Sequence, residues 1–528
     1  MLGVALASLF LFGILPLANL LARSLWVGGS FTLEHYAEAF SRPRLVLLLD
    51  SLGLAGTAAF VAAVAGIAIA FFVVKSTIPL RGAFVPIFSA PLLFPPYVLA
   101  NGWFQLLGRQ GLLPKLIGAL GGPGDAAGIV MSNWLFGFPG GVLVLSTAVL
   151  PITLLLSIAA IGAVNPRLEE AARVHASWPR VVKSITLPLA IPAIALATVL
   201  ALLLVMGEYA APSFLRLKVF SVESFTQLSA FYDPGGSVAA WLPMLILVAA
   251  SMLVASRIIG PGDRHFRWLA PPAPQISLGA WMPVVFGALT LVAVGAVLLP
   301  CSALLIRGFS GSWLAALSQA WILGRDSLGW GMLYASVAAS LVTAIGFLFG
   351  YVSQRRSFPG SGLLEPTTLT LFALPGPLLG FSVAVTWNTP ATQGLYASSL
   401  LLLSALSMQY MAVGQLGFAS GLAQMSPSLE EAAQIAGARR FRRMRWIVLP
   451  LQWRTIAGVW MLSFVLCLRD TTLPLLLSPP GRDTLSVRTL TLMANGSDDV
   501  IAILGLFSIV MAAIPAGIVL LWLRSKLP

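Results

Sequence analysis

Two acids stand at matching distances from a Leu-Pro pair. Glu208 lies 20 residues after Pro188, and Asp470 lies 20 residues after Pro450. Both interrupt strongly apolar surroundings, where an ionisable side chain is costly and is read first as functional. Two carboxylates facing each other at a pore mouth would favour a cation. The structural alternative is pairing, Asp470 with Arg469 and Glu208 with Arg216. Four further acids come in two doublets, Glu169-Glu170 and Glu430-Glu431, each followed by Ala-Ala: Ala171-Ala172 and Ala432-Ala433. Pro166 and Pro427 suit a helix start, acids in the first turn complement the helix dipole, and Ala favours the helix while keeping its profile low. Basic residues follow, Arg180 and Lys183 in one copy and the run from Arg439 to Arg445 in the other. A short smooth helix of this kind suits docking of a cytoplasmic partner. The other reading is an amphipathic loop on anionic lipid headgroups.

Several chemistries are missing. No Gly-Lys dipeptide occurs, so the phosphate-cradling loop of a P-loop ATPase is absent. His35, His175 and His265 are unpaired, and no metal site is expected. Cys301 and Cys467 are isolated in apolar runs and suggest neither a disulfide nor a metal. No catalytic residue and no cofactor are expected in the chain.

The elements that position these residues follow from composition. The 528 residues are 58% apolar and 9% charged, with a net charge of +13. An ordinary globular chain carries about 25% charged residues, so this one is neither a soluble enzyme, a disordered protein nor a nucleic-acid-binding domain. A membrane helix needs about 20 mostly apolar residues. Charge-free runs cover 1–22, 51–74, 82–108, 126–166, 184–207 and 234–256, then 268–306, 327–354, 366–429, 455–468 and 500–523. The run 366–429 holds two helices, divided at the polar stretch 388–394, and the run 455–468 extends back to Leu449 if Arg454 snorkels. The reading is an all-α membrane protein of twelve transmembrane helices. The start has no basic region and no small-residue cleavage site, so it is expected to be a retained span rather than a removed signal peptide.

With both termini cytoplasmic, 19 of the 31 basic residues fall on the inside, among them Lys75, Arg81, Arg355, Arg356, Arg257, Arg264, Arg267, Arg524 and Lys526. Lys and Arg accumulate on that side of membrane proteins, which supports this orientation. The inside acids include Asp263 and Glu365.

The chain repeats itself. Pro-x-Leu-Glu-Glu-Ala-Ala occurs at 166–172 and 427–433, and Ile-x-Leu-Pro-Leu at 185–189 and 447–451. Upstream, Leu93-Phe-Pro-Pro-Tyr-Val-Leu-Ala100 resembles Ala373-Leu-Pro-Gly-Pro-Leu-Leu-Gly380. These Pro-rich pieces sit inside spans, where a broken helix survives only if neighbours satisfy its backbone. The chain thus divides into two parallel six-span repeats, 1–256 and 278–528, joined by a Pro-rich cytoplasmic linker, 257–277, with Pro261, Gly262, Pro271, Pro272 and Pro274. Tyr97, Trp103 and Trp134 are expected as interface anchors, and Gly53, Gly56 and Gly66 as helix-packing positions.

The duplicated loop resembles the Glu-Ala-Ala loop of binding-protein-dependent permeases, the membrane subunits of type I importers of the ATP-binding cassette class. That pattern is Glu-Ala-Ala, three residues, Gly, nine residues, then Ile-x-Leu-Pro. Glu431, Ala432, Ala433, Gly437, Ile447, Leu449 and Pro450 match it fully. The first copy has Glu170, Ala171, Ala172, Leu187 and Pro188 but places Ala176 at the Gly position and Ile185 one residue early, so the pattern supports a docking helix there without fixing its exact geometry. The resemblance covers essentially the whole chain. Met206-Gly-Glu-Tyr-Ala-Ala-Pro-Ser213 and Asp483-Thr-Leu-Ser-Val-Arg488, with the Pro-rich segment at 93–100, resemble the iron(III) branch of fused double permeases.

The resemblance implies the type I importer permease fold in a bacterial inner membrane. It also implies a pathway for iron(III) delivered by an extracytoplasmic binding protein. Two copies of a separate ATPase would carry the ATP and Mg and receive the two loops in a cleft. Thiamine, polyamine and phosphonate permeases share the loop and remain alternative cargo classes. From the residues alone, an ion-coupled secondary transporter is the competing class, but the nearly charge-free span midplanes count against it.

Overall fold

The computed structural model describes residues 2–27, 30–31, 40–231, 241, 243–251, 275–355 and 360–525. His35, Arg257, Asp263, Arg264, His265, Arg267, Arg356 and Lys526 lie outside the described residues, as does the linker up to residue 274. Apart from a two-residue antiparallel pairing of Trp26–Val27 with Ser30–Phe31, the regular structure described is helical.

Seven described helices are long and apolar enough to cross a membrane: α1 (Leu2–Leu25), α2 (Arg42–Lys75), Phe138–Gly162, Trp178–Gly207, Gly279–Gly308, Trp313–Arg355 and Asp498–Val519. Four further candidate spans are pairs of helices bent by 47° to 103°. The count therefore reaches eleven rather than the expected twelve, because the sixth predicted span, 234–256, falls largely outside the described residues.

The bends sit where the backbone cannot continue a helix. In the first half α3 (Arg81–Leu93) meets the helix starting at Pro96 at 103°, and α4 spans Pro96–Leu107. Next come α5 (Phe138–Gly162), the short α6 (Pro166–Arg173), α7 (Trp178–Gly207) and α8 (Ala210–Phe214). The second half begins with α9 (Gly279–Gly308) and α10 (Trp313–Arg355). The bent pair α11 (Ser361–Ala373) and α12 (Gly376–Trp387) then repeats the 103° angle. The Pro95-Pro96 and Pro375-Gly376-Pro377 segments thus break their spans in the same way. The chain continues with α13 (Ser399–Gln409), α14 (Met411–Ala423), α15 (Pro427–Ile435), α16 (Arg440–Leu451), α17 (Trp453–Arg469), α18 (Thr472–Leu477) and α19 (Asp498–Ser525).

Leu-Pro pairs mark a gentler distortion. Proline lacks an N–H, and its ring crowds the carbonyl four residues back. Ahead of each of four Leu-Pro pairs the helix widens by a π turn, at Phe10–Ile14, Val182–Thr186, Val294–Leu298 and Met444–Val448. In each, the Leu N–H reaches the carbonyl five residues back, so Leu15, Leu187, Leu299 and Leu449 remain bonded.

The halves exchange their first spans. The end of α1 packs on α12 of the other half, with Asn19 Nδ2 donating to Thr386 Oγ1 at 2.9 Å and Phe12 against Trp387. Reciprocally, α9 packs on α4, so closely that a Cβ on Gly102 would come within 2.6 Å of the Pro300 carbonyl oxygen. A single large core cluster runs through both halves. This burial explains a failed expectation: Tyr97 and Trp103 are buried inside the assembly, while Trp134 alone of the three is exposed as an anchor would be.

Small residues allow other close approaches. A Cβ on Gly66 would meet Thr153 Oγ1 at 2.6 Å, and one on Gly346 would meet the Gly414 Cα at 2.5 Å. Gly53 and Gly56 face open space, so the packing role expected of them is not found. Accordingly, Gly346→Val should destabilise the protein by about 1–3 kcal/mol through overpacking. Gly53→Val should leave the thermal unfolding midpoint of the purified membrane protein within error; equal midpoints for both would contradict the seam.

Candidate functional site

The two short helices α6 and α15 are built alike. Asn165 caps the first by accepting from Arg167 N at 3.1 Å, and Ser426 caps the second by accepting from Ser428 N at 3.4 Å. The first Glu of each doublet points inward and the second outward. Glu169 is fully buried, pairs with Lys75 Nζ at 2.6 Å, and accepts from Thr186 Oγ1 at 2.6 Å. Glu430 pairs with Arg355 Nε at 3.1 Å and accepts from Tyr351 Oη at 2.7 Å. Lys75 and Arg355 end the second span of their respective halves, so each short helix is bolted to an equivalent point. Arg355 also donates to the Leu422 and Met425 carbonyls, and Arg443 clamps the far end of α15 through Gln434 Oε1 at 2.7 Å.

Each outward side carries an apolar strip. Leu168, Ala171 and Val174 are exposed at spacings of three, as are Leu429, Ala432 and Ile435, the last at 89%. Glu170 and Glu431 are exposed beside them. The ends of the two helices differ. Gly437 adopts φ +79°, and Ala438 N reaches the Ala433 carbonyl at 2.9 Å, a Schellman closure that favours glycine. Ala176 has no positive φ. Its N–H bonds to the Ala172 carbonyl, and its own carbonyl accepts from Arg173 Nη1, whose guanidinium lies over Trp178. Leu187 and Pro188, like Ile447, Leu449 and Pro450, lie at or just after the π turns.

The two isolated acids come together across the halves. Glu208, at the end of α7, and Asp470, at the end of α17, line one cavity of about 110 Å³. The Pro-rich breaks contribute Pro96, Pro375 and Gly376 to its wall. Each carboxylate caps the short helix that follows. Glu208 Oε1 accepts from Ala210 N at 3.0 Å, and Asp470 Oδ1 accepts from Leu473 N at 3.0 Å. The pairings expected as the structural alternative do not form: among the described residues Glu208 has no ion pair with Arg216, nor Asp470 with Arg469. Sequence reasoning missed the other polar groups there, Gln409, Tyr410 and the inward side of Arg469. Tyr410 and Gln409 stand at the break between α13 and α14, and no motif announces them.

Comparison with known proteins fits this arrangement. The family described as binding-protein-dependent transport system inner membrane component matches twice, over residues 62–267 and 343–527. The chain belongs to that family. It is a fused double permease, the multi-pass membrane subunit of an ATP-binding cassette importer of type I and not an enzyme. Its relatives include the ferric transport system permease protein FbpB of Actinobacillus pleuropneumoniae, 24% identical over 87% of this chain and 68% of that protein. The Fe(3+)-transport system permease protein FbpB 2 of Haemophilus influenzae is 22% identical over 90% of this chain and 88% of that one. The molybdenum transport system permease protein ModB of Escherichia coli is 29% identical over 40% of this chain and 90% of its own length. Membership in this family sets aside the ion-coupled secondary transporter.

Removing one partner of a buried ion pair costs about 3–5 kcal/mol. Lys75→Met should therefore loosen the permease's first short helix, read as faster hydrogen exchange across residues 166–173. The double variant Lys75→Met with Glu169→Gln should lose less than the two singles summed, because the uncompensated charge is gone. Strict additivity would mean that the pair does not hold the helix.

Proposed function

We propose that this permease forms the pathway of an importer for iron(III), fed by an extracytoplasmic binding protein and driven by two copies of a separate ATPase that carries the ATP and Mg. The observation that carries the coupling part is the duplicated short helix, apolar on its outer face and held from beneath by a buried ion pair. A face of Leu, Ala and Val or Ile suits insertion into an apolar cleft, and the anchored inner face passes any displacement to the spans. Both termini then lie on the cytoplasmic side, with the ATPase under α6 and α15.

Iron(III) is preferred because the ferric permeases align across both halves, along 87% and 90% of the chain; the molybdenum permease covers 40% of it because that protein is about one half long and is itself matched over 90% of its length. Two carboxylates in the central cavity favour passage of a cation. In this reading ATP closes the two ATPase subunits and draws α6 and α15 together. The halves rock and open the cavity outward to a docked binding protein, and hydrolysis returns the inward-facing state.

Leu168→Asp with Val174→Asp, and separately Leu429→Asp with Ile435→Asp, place charges where the cleft would close. Each pair should abolish co-purification of the ATPase while the permease stays folded; retained association would refute this docking face. Within the cavity, Glu208→Gln with Asp470→Asn keeps the capping oxygens and removes both charges. Uptake of iron should fall at least about tenfold, the equivalent of ~1.4 kcal/mol. Unchanged uptake and unchanged coupled ATP hydrolysis would end the pathway role of both acids.

A further inference from the structure

The central cavity carries more polar chemistry than its fold requires. The repeat supplies an internal control. Counting back from the duplicated loop, Gln409 and Tyr410 correspond to Ala148 and Val149, and counting forward from the Leu-Pro pairs, Arg469 corresponds to Gly207. All six residues line the same cavity. One half builds its wall at these positions with Ala, Val and Gly, so the backbone architecture does not demand Gln, Tyr and Arg in the other.

The polar groups are arranged rather than merely present. Gln409 is 6% exposed, and its Nε2 donates to the Phe372 and Leu374 carbonyls at 3.3 and 3.0 Å. Those two bonds fix the amide and leave Oε1 buried with no hydrogen-bond partner. A buried carbonyl oxygen without a protein donor is expensive, and a water or a bound ion satisfies it. Tyr410 Oη donates to Asp470 Oδ2 at 2.8 Å, which orients that carboxylate. Glu208 supplies a second carboxylate from the opposite half. Arg469 lines the same space, its Nη1 buried without a hydrogen-bond partner.

An amide carbonyl and two carboxylates form an oxygen-only donor set, the preference of hard cations. We propose that Glu208, Gln409 and Asp470 form a transit site for a hard cation, with Tyr410 as a positioning residue and Arg469 as a tethered counter-charge that a passing cation displaces. This rests on the importer reading and deepens it: the permease then handles the bare ion itself rather than offering only a neutral tunnel. The guanidinium offsets one of the two negative charges between passages, which keeps the empty cavity tolerable in an apolar interior. Its competition keeps occupancy brief, as a transport site needs.

The test uses the full chain in lipid nanodiscs with gallium(III) nitrilotriacetate as a redox-silent probe, counting metal retained per chain against a competing chelator. Arg469→Gln should raise retention about tenfold over the unmodified protein, a gain that misfolding does not mimic. On that background Asp470→Asn and Gln409→Leu should each lower it at least about tenfold, since losing even a group that supports a metal ligand costs about that much. Thr57→Ala, on the exposed side of α2 and outside the cavity lining, should leave it unchanged. No gain from Arg469→Gln, or retention indifferent to both cavity variants, overturns the site. Iron uptake by cells carrying the unmodified transporter separates the two readings. Uptake with indifferent retention overturns the site and leaves the importer standing. Absent iron uptake with the expected order of retention upholds a hard-cation site and overturns iron as the cargo.

Discussion

Inside an apolar assembly, every N–H and carbonyl freed by a break in a helix must find a partner within the protein. That constraint organises this permease. The chain breaks its spans deliberately, at Pro95-Pro96, at Pro375-Gly376-Pro377 and at the ends of α7 and α17, and these breaks meet around one cavity. The acids resolve the debt at two of them. Glu208 accepts from the N–H of Ala210, the first residue of α8, and Asp470 from that of Leu473 in the first turn of α18. An acid that caps a helix beside a cavity does two things at once: it satisfies the backbone and lines the space between the halves. The structural and pathway readings of these acids are therefore compatible, since one carboxylate serves both.

The same economy governs the cytoplasmic end. An adjacent pair of acids divides its work by helix geometry, because neighbouring residues on a helix point about 100° apart. Glu169 and Glu430 turn into the protein and find Lys75 and Arg355, while Glu170 and Glu431 stay in solvent. A short helix is marginal by itself. Here its buried acid supplies the tertiary hold, so the opposite face can stay apolar and uncovered. The two copies solve their exits differently. Glycine at 437 permits the left-handed closure, whereas Ala176 is held by Arg173 in a turn with negative φ.

Much of this was legible because the relevant signals are local. The doublets, the Leu-Pro pairs, the Pro-rich breaks and Gly437 each announce a backbone event at their own position, and the repeat doubles every signal. The facing of Glu208 and Asp470 followed from symmetry alone. The exchange of α1 and α9 between halves was not legible, since an apolar span carries no mark of which neighbour it covers. For the same reason Tyr97 and Trp103 read as interfacial although α4 turns them inward onto the other half. Lys75 and Arg355 were counted for orientation, but their partners lie 94 and 75 residues away, beyond any local pattern. Gln409 and Tyr410 were missed because polarity inside a long apolar run gains meaning only once the cavity beside it is known.

The two halves differ in how the cytoplasmic end connects to the cavity. On the first side α7 runs unbroken from the region of Thr186, which holds Glu169, to Glu208. On the second side the corresponding span bends by 73° at Gln452, whose Nε2 is held by the Gly421 carbonyl at 3.0 Å. The two spans that lead from the short helices to Glu208 and Asp470 thus differ in shape, although each carries a π turn ahead of its Leu-Pro pair. The asymmetry of the spans matches the asymmetry of the cavity wall, where Gln409, Tyr410 and Arg469 all belong to the bent half. Within a repeated frame, the sharp bend and these polar groups therefore lie on the same side.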